Sequence, residues 1–172
     1  MLSKGNRMIV GIGGISRSGK TTLALELKEY LTNKKLKVLN LDDYTVEVSQ
    51  IPKINDAINW EHPDSLNFLK LENDIKQCIK ESDITIVEGF LIYYNGRIRN
   101  LFDVKIYLQI DETLFKKRRR NQYRNREPDW YLNHIWDSYN KYHSKFKNDC
   151  DIIINEKRYR RINNIVDKIF KK

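Results

Sequence analysis

Gly14 and Gly19, with Lys20 and Thr21 behind them, fit G-x-x-x-x-G-K-[ST], a spacing of residue types suited to holding a polyphosphate. Glycines let backbone N–H groups converge on phosphate oxygens with no Cβ in the way. A helix starting there adds its unpaired N-terminal donors and the positive end of its dipole. Lys20 would reach the β- and γ-phosphates, and Thr21 would offer its hydroxyl to Mg²⁺. Two further acidic sites follow short apolar runs: Asp42-Asp43 after Lys37-Val38-Leu39-Asn40-Leu41, and Glu88 after Ile84-Thr85-Ile86-Val87. A carboxylate at the carboxyl end of a parallel strand faces the crevice where open α/β sheets bind ligands. It can accept the proton of an attacking hydroxyl or orient the hydration shell of Mg²⁺. Asp43 can equally cap a turn. Trp60 and Glu61 could meet a substrate ring and its hydroxyls, although a lone Trp is more often core.

Those groups need elements to position them. Met8-Ile9-Val10-Gly11-Ile12 before the motif is an apolar, β-branched run typical of a buried parallel strand, and residues 21–31 place Leu23, Leu27 and Leu31 on one helical side. Residues 45–61 carry no clear period and read as a long loop, with turn signals at Ile51-Pro52 and Asn55-Asp56. Pro63, with Asp64 or Ser65, starts a helix running to about Lys80. Residues 97–102 read as a short helix and 104–110 as a fourth strand; Asp111 then caps a basic helix from Glu112. On that helix Arg120 and Arg124 share a face, as do Lys116, Arg119 and Arg120, while Arg118 points elsewhere. Trp130, Tyr131, Trp136, Tyr139 and Tyr142 form a core stripe on the next helix, residues 150–155 a fifth strand, and Ile162, Ile165, Val166 and Ile169 a final helix face. The alternation predicts a three-layer α/β fold with a parallel sheet and right-handed crossovers.

At 172 residues the chain is expected to be one domain, 1–172, with a single sheet-centred core. Its 40% hydrophobic and 32% charged residues, without an 18-residue apolar run or a leader before the first strand, predict a cytoplasmic protein with no membrane span. Cys78 and Cys150 lack metal-ligand spacing, and His62, His134 and His143 form no cluster with them, so free thiols and no zinc are expected. The net charge of +9 gathers in two places. Lys116, Lys117, Arg118, Arg119, Arg120, Arg124 and Arg126 could close over a polyphosphate; Lys157, Arg158, Arg160, Arg161, Lys168, Lys171 and Lys172 read as a solvated helix face and tail.

Gly14 to Thr22, Leu41-Asp42-Asp43-Tyr44, Trp60-Glu61-His62-Pro63-Asp64-Ser65, Val87-Glu88-Gly89-Phe90 and Arg118-Arg119-Arg120 occur in an order and at a spacing that resemble the uridine kinase and nicotinamide riboside kinase family. His134-x-Trp136 is similar to the nicotinamide riboside kinase branch. The resemblance implies a P-loop NTPase fold with five parallel strands, helices on both faces and an arginine-rich lid over about 112–128. It gives Asp42 the part of base on a ribose 5′-hydroxyl, Thr21 and Glu88 that of Mg²⁺ ligands, and Glu61 that of a ribose-hydroxyl partner. Gly14, Ser16, Ser18, Gly19, Lys20, Thr21 and Thr22 become the ATP contacts, joined by Arg119, Arg120 and Arg124 of the lid. Asp42, Tyr44, Trp60 and Glu61 become the acceptor contacts. The chain departs from the family where Glu61 replaces the commoner Asp, where Thr45 replaces a second aromatic, and where Arg124 follows the triplet one residue late.

The expected activity is transfer of the ATP γ-phosphoryl group, with Mg²⁺, to a hydroxyl of a nucleoside-like metabolite by a monomer or homodimer. The competing readings are a nucleic-acid-binding or polynucleotide-modifying protein, suggested by charge and tyrosines, and a nucleotide-dependent regulator without an acceptor. A strand-end Asp42 disfavours the regulator, which needs no base for a substrate hydroxyl.

Overall fold

Five apolar segments, each too short for a buried helix, pair side by side at the centre of the chain. In the computed structural model, which describes residues 7–124, 126–155 and 161–171, the strands in chain order are β1 (Met8–Gly14), β2 (Leu36–Asn40), the two-residue β3 (Lys53–Ile54) and β4 (Ala57–Ile58), β5 (Ile84–Gly89), β6 (Val104–Gln109) and β7 (Ile152–Asn155). The helices are α1 (Lys20–Tyr30), α2 (Phe68–Glu81), α3 (Gly96–Arg99), α4 (Glu112–Tyr123), α5 (Asp129–Tyr142) and α6 (Ile162–Phe170). The sheet order is β2-β5-β1-β6-β7, with every pairing parallel, as the strand pattern predicts.

Successive strand side chains point to opposite faces, so β1 feeds two cores. Val10 and Ile12 pack with Leu23 and Leu27 of α1 and Ile165 and Ile169 of α6. Ile9 belongs to the opposite layer, with Leu71 and Ile75 of α2, Phe115 of α4 and Ile135 of α5. Both faces of the central strand are therefore covered, and its near-complete burial follows.

Parallel register also sets what lies at the carboxyl edge. Ile12 pairs with Glu88, Gly13 with Gly89, and Asn40 with Glu88. The phosphate-loop candidate leaving β1, the acid ending β5 and the Asp42 turn leaving β2 thus emerge side by side.

Two regions between β2 and β5 differ from the sequence expectation. The 45–61 segment contains a hairpin: β3 and β4 are antiparallel, and Asn55 (φ 45°) and Asp56 (φ 60°) turn between them with the positive φ angles a tight hairpin needs. α2 starts at Phe68 rather than near Pro63, because Asn67 Oδ1 accepts from Lys70 N (2.9 Å) and the residues before it are tied elsewhere. Val46 N donates to Ser65 O (2.9 Å) and Asn67 N to Tyr44 O (2.7 Å), leaving Pro63–Ser65 a separate 3₁₀ turn. Among the described residues no helix is long and apolar enough to cross a membrane.

Of the C-terminal basic residues, Lys157, Arg158, Arg160 and Lys172 lie outside the described residues. Arg161, Lys168 and Lys171 are exposed, opposite the buried Ile165 and Ile169.

Candidate active site

β1 ends in a turn that only glycine can begin. A Cβ on Gly14 would stand 2.6 Å from both Leu108 O and Ser18 Oγ, and Gly19 holds φ 94° as it starts α1. The result is a loop with the backbone of Arg17 also left-handed (φ 64°), bent around the amino end of an 11-residue helix. Ser18 is 3% exposed, and its Oγ has no hydrogen-bond partner among the described residues. A buried hydroxyl without a partner is costly unless a ligand supplies one.

Lys20 folds back onto this loop, donating from Nζ to Ile15 O (3.2 Å). Burial pushes its ammonium below the usual lysine range, while Glu88, Asp42 and Glu61 pull the other way. Thr21 Oγ1 donates to Glu88 Oε1 (2.7 Å). Glu88 is 2% exposed, and desolvation raises its carboxyl against the opposing influence of Thr21 and Lys20. The hydroxyl and carboxylate oxygens of this pair are hard donors suited to Mg²⁺. No group of three or more His, Cys, Asp or Glu among the described residues could hold a metal alone. Mg²⁺ takes one or two protein ligands and completes its shell with water and phosphate oxygens, and Thr21 and Glu88 are of the type and number it uses. The loop, the orphaned Ser18 hydroxyl and the Thr21–Glu88 pair therefore fit a Mg²⁺–nucleoside triphosphate.

At the end of β2 a short 3₁₀ turn, Leu41–Tyr44, opens with Asn40 Oδ1 accepting from Asp42 N (2.9 Å). Residues three apart eclipse in such a turn, so Leu41 and Tyr44 go to the core together while Asp42 and Asp43 face outward. Asp42 lines both cavities described below; Asp43 lines neither. Tyr44 is not brought to the site either. It is 5% exposed, and its hydroxyl donates to Asp74 Oδ2 (3.0 Å) on α2.

Two cavities lie along this edge. One, of about 920 Å³, runs over the phosphate loop and includes Ser16, Gly19, Lys20, Thr21, Thr22 and Glu88. The other, of about 470 Å³, is walled by Leu41, Thr45, Trp60, Glu61, Ser65, Leu66, Phe90, Leu91 and Tyr131. They share Ser16, Lys20, Asp42, Arg119 and Tyr123. Desolvation in the smaller cavity pushes Glu61 up to about 7, with Arg119 and Lys20 opposing and Asp42 and Glu127 adding to the rise.

The arginine helix is phased differently from the sequence expectation. Phe115 is its buried residue, so Arg118 and Arg119, three and four positions on, turn toward the site. Arg118 Nη1 donates to Arg17 O (3.0 Å) and Arg119 Nη1 to Ser16 Oγ (2.9 Å). Arg120 faces away to Asp129 (2.8 Å), and Arg124 is the left-handed cap after Tyr123 (φ 49°). Neither Arg120 nor Arg124 lines either of these two cavities, whereas Arg118, expected to point elsewhere, lines the larger. α4 stops at Tyr123, short of the expected lid end near 128, and the backbone turns into α5.

Sequence reasoning also missed Tyr131, assigned to a core stripe, and Phe90, quoted as a strand end without a role; both line the smaller cavity. The Phe90 signal was its place two residues after Glu88. Tyr131 gave no signal, since a cavity wall and a core stripe have the same period. The Asn59–His134 hydrogen bond (2.7 Å), which joins the 45–66 segment to α5, was likewise invisible at a separation of 75 residues.

Residues 49–163 match the phosphoribulokinase / uridine kinase family. A uridine kinase of Lactobacillus helveticus is 29% identical, over 87% of this chain and 86% of that protein. The human nicotinamide riboside kinase 1 is 27% identical, over 81% and 78%. Among solved structures, a possible uridine kinase from Bacillus stearothermophilus superposes with a TM-score of 0.62 at 20% identity, covering 89% of this chain and 91% of that one. Shikimate kinase from Aquifex aeolicus gives 0.56 at 18% identity, with 94% and 96% covered. These two structures bear on the fold.

Proposed function

This chain belongs to the phosphoribulokinase / uridine kinase family, and on that premise we propose that it transfers the γ-phosphoryl group of ATP to the 5′-hydroxyl of a ribose-containing, nucleoside-like metabolite. The observation that carries the reading is the junction of the two cavities. A cleft built on the phosphate loop and a smaller pocket with aromatic walls meet at Lys20, Asp42 and Arg119. A cation, a carboxylate and a guanidinium at one boundary are what in-line phosphoryl transfer between two bound molecules requires.

The larger cleft takes the triphosphate. The phosphate loop holds the phosphate chain through its backbone, and Ser18 offers its hydroxyl. Mg²⁺, held by Thr21 and Glu88, would supply positive charge to the phosphate oxygens. In the smaller pocket Trp60, Phe90 and Tyr131 give flat apolar surface for a ring, and Glu61 gives a carboxylate for ribose hydroxyls. Asp42 takes the proton of the acceptor hydroxyl as its oxygen bonds to the γ-phosphorus and the bond to the β–γ bridging oxygen breaks, leaving ADP. Lys20 and Arg119 stabilise charge on the group in flight. Asp42 and Glu61 in the acceptor pocket disfavour a polyanionic acceptor, so a nucleic-acid substrate is the weaker reading.

The test is a panel of uridine, cytidine, nicotinamide riboside and pantothenate with ATP and Mg²⁺, with direct detection of the phosphorylated product. Phosphorylation of a ribonucleoside by the wild type, absent in Lys20→Ala, is the expected result. Phosphorylation of pantothenate alone, or of none of them, would reject the proposed acceptor.

A further inference from the structure

Arg119 is one of the five side chains that both cavities share, and its setting is unlike that of Arg120. Its Nε and Nη2 donate in parallel to Glu127 Oε2 (2.7 Å) and Oε1 (2.8 Å). Both side chains are largely enclosed, 13% exposed for Arg119 and 17% for Glu127. The Tyr123 ring lies against the guanidinium, 4.5 Å from ring centroid to Cζ. By contrast the Arg120–Asp129 pair is a single contact, with 42% and 78% of the side chains exposed.

A two-point fork fixes the plane of a guanidinium as well as its place. Here it occupies the Nε and Nη2 edge, which leaves the Nη1 end aimed at Ser16 Oγ on the phosphate loop. The acid that does this stands eight residues on, beyond the end of α4, and lines neither cavity. A second carboxylate, Glu61, lines the same pocket as Arg119, and the charge of the guanidinium opposes the rise of its pKa. With Glu127 absent, Arg119 would be drawn toward Glu61. The donor side would lose an oriented charge and the acceptor pocket a carboxylate.

We propose that Glu127 is a positioning residue: it locks Arg119 by a bidentate fork so that the guanidinium faces the transferred phosphoryl group and leaves Glu61 to the acceptor. This deepens the phosphotransfer reading and rests on it. A charge held ready before reaction stabilises the transition state without reorganisation, so the effect belongs in kcat more than in nucleotide binding.

The experiment uses the full chain with the variants Glu127→Gln, Glu127→Asp, Arg119→Ala and the Arg119→Ala/Glu127→Gln double variant. The first readout needs no substrate: hydrogen exchange of the Arg119 Nε–H, assigned by the NMR signal that Arg119→Ala removes. It should be protected in the wild type and exchange about tenfold faster or more in Glu127→Gln, with Glu127→Asp between. The second is kinetic. Glu127→Gln should lower kcat by about 10- to 100-fold while the Kd for ATP, measured by calorimetry, moves less than about threefold. In the Arg119→Ala background the same change should have almost no further effect on kcat.

Unchanged Arg119 exchange in Glu127→Gln would overturn the proposal, as would an undiminished kcat loss when Arg119 is already absent. Should Glu127→Gln fail to fold, Glu127→Asp is judged by the same two readouts. If no nucleoside is phosphorylated by the wild type, the function reading fails on its own. The Arg119 exchange and acceptor-free ATP hydrolysis then still decide whether Glu127 orients the arginine.

Discussion

The floor and the roof of the site are built in different ways. The floor consists of Asp42 and Glu88, at or just beyond the ends of strands paired on the sheet, and of Lys20 and Thr21, which open α1 after the loop leaving β1. The roof consists of the 45–66 segment and the α4–α5 pair, joined by side-chain bonds: Arg119 to Glu127, Lys116 to Asn133 (2.7 Å) and His134 to Asn59. Ladder bonds do not depend on which side chains are present, so floor substitutions should remove chemistry and leave positions intact. Roof substitutions remove the positioning itself. The difference teaches that the floor residues are placed by backbone pairing and loop geometry, whereas the roof is placed by polar side chains.

Lys20→Ala should break the floor most severely. Turnover is expected to fall by about a thousandfold, the scale of losing a preorganised charge at the reacting centre, with the circular dichroism spectrum and melting temperature nearly unchanged. Turnover close to wild type would remove the phosphate loop from the mechanism. Asp42→Asn keeps the shape but cannot accept the proton, so kcat should drop by about a hundredfold or more while the Kd for ATP barely changes. Asp43→Asn, pointing outward from the same turn and lining neither cavity, should be milder.

Glu61 sharpens the contrast, because its charge is set by the enclosure of the pocket. With its pKa pushed up to about 7, Glu61 is protonated below that pH and a carboxylate above it. The carboxylate is the stronger acceptor for ribose hydroxyls, so kcat/KM for the acceptor should rise by about tenfold as pH climbs from 6 to 8. Glu61→Gln should flatten that rise; an identical pH profile in the variant would assign it to another group. For stability the sign is opposite. A carboxyl raised above its unfolded value favours the fold while protonated and loses that contribution between about 4.5 and 7.

The smallest effect is expected at Arg120. Its exposed pair with Asp129 is of a kind worth a few tenths of a kcal/mol to about 1 kcal/mol, and it faces neither cavity. Arg120→Ala should stay within about twofold of wild-type kcat/KM. A loss as large as that of Arg119→Ala would show that the helix phase described above is not the one used in turnover.

What the sequence determined by itself is short-range. The apolar β1 run, the glycine spacing and the α1 periodicity specify a strand, loop and helix within about 25 residues, and local rules decide each part. Asp111 capping α4 through Leu114 N (2.8 Å) and the Asn55-Asp56 turn are of the same kind. The acids after β2 and β5 were legible because parallel sheets place strand ends on one edge.

Only the tertiary structure decided the rest. The bonds from 44–46 to 65–67 delayed the start of α2, overriding the Pro63 helix signal. The burial of Phe115 chose Arg118 and Arg119 over Arg120, and the 3₁₀ turn sent Tyr44 to Asp74 rather than to the pocket. Tyr131 became a wall and Glu127 a partner of Arg119 because α5 folds back beside α4. Local patterning fixes which face a residue takes within its own element; what that face meets depends on how the elements pack, which no single stretch contains.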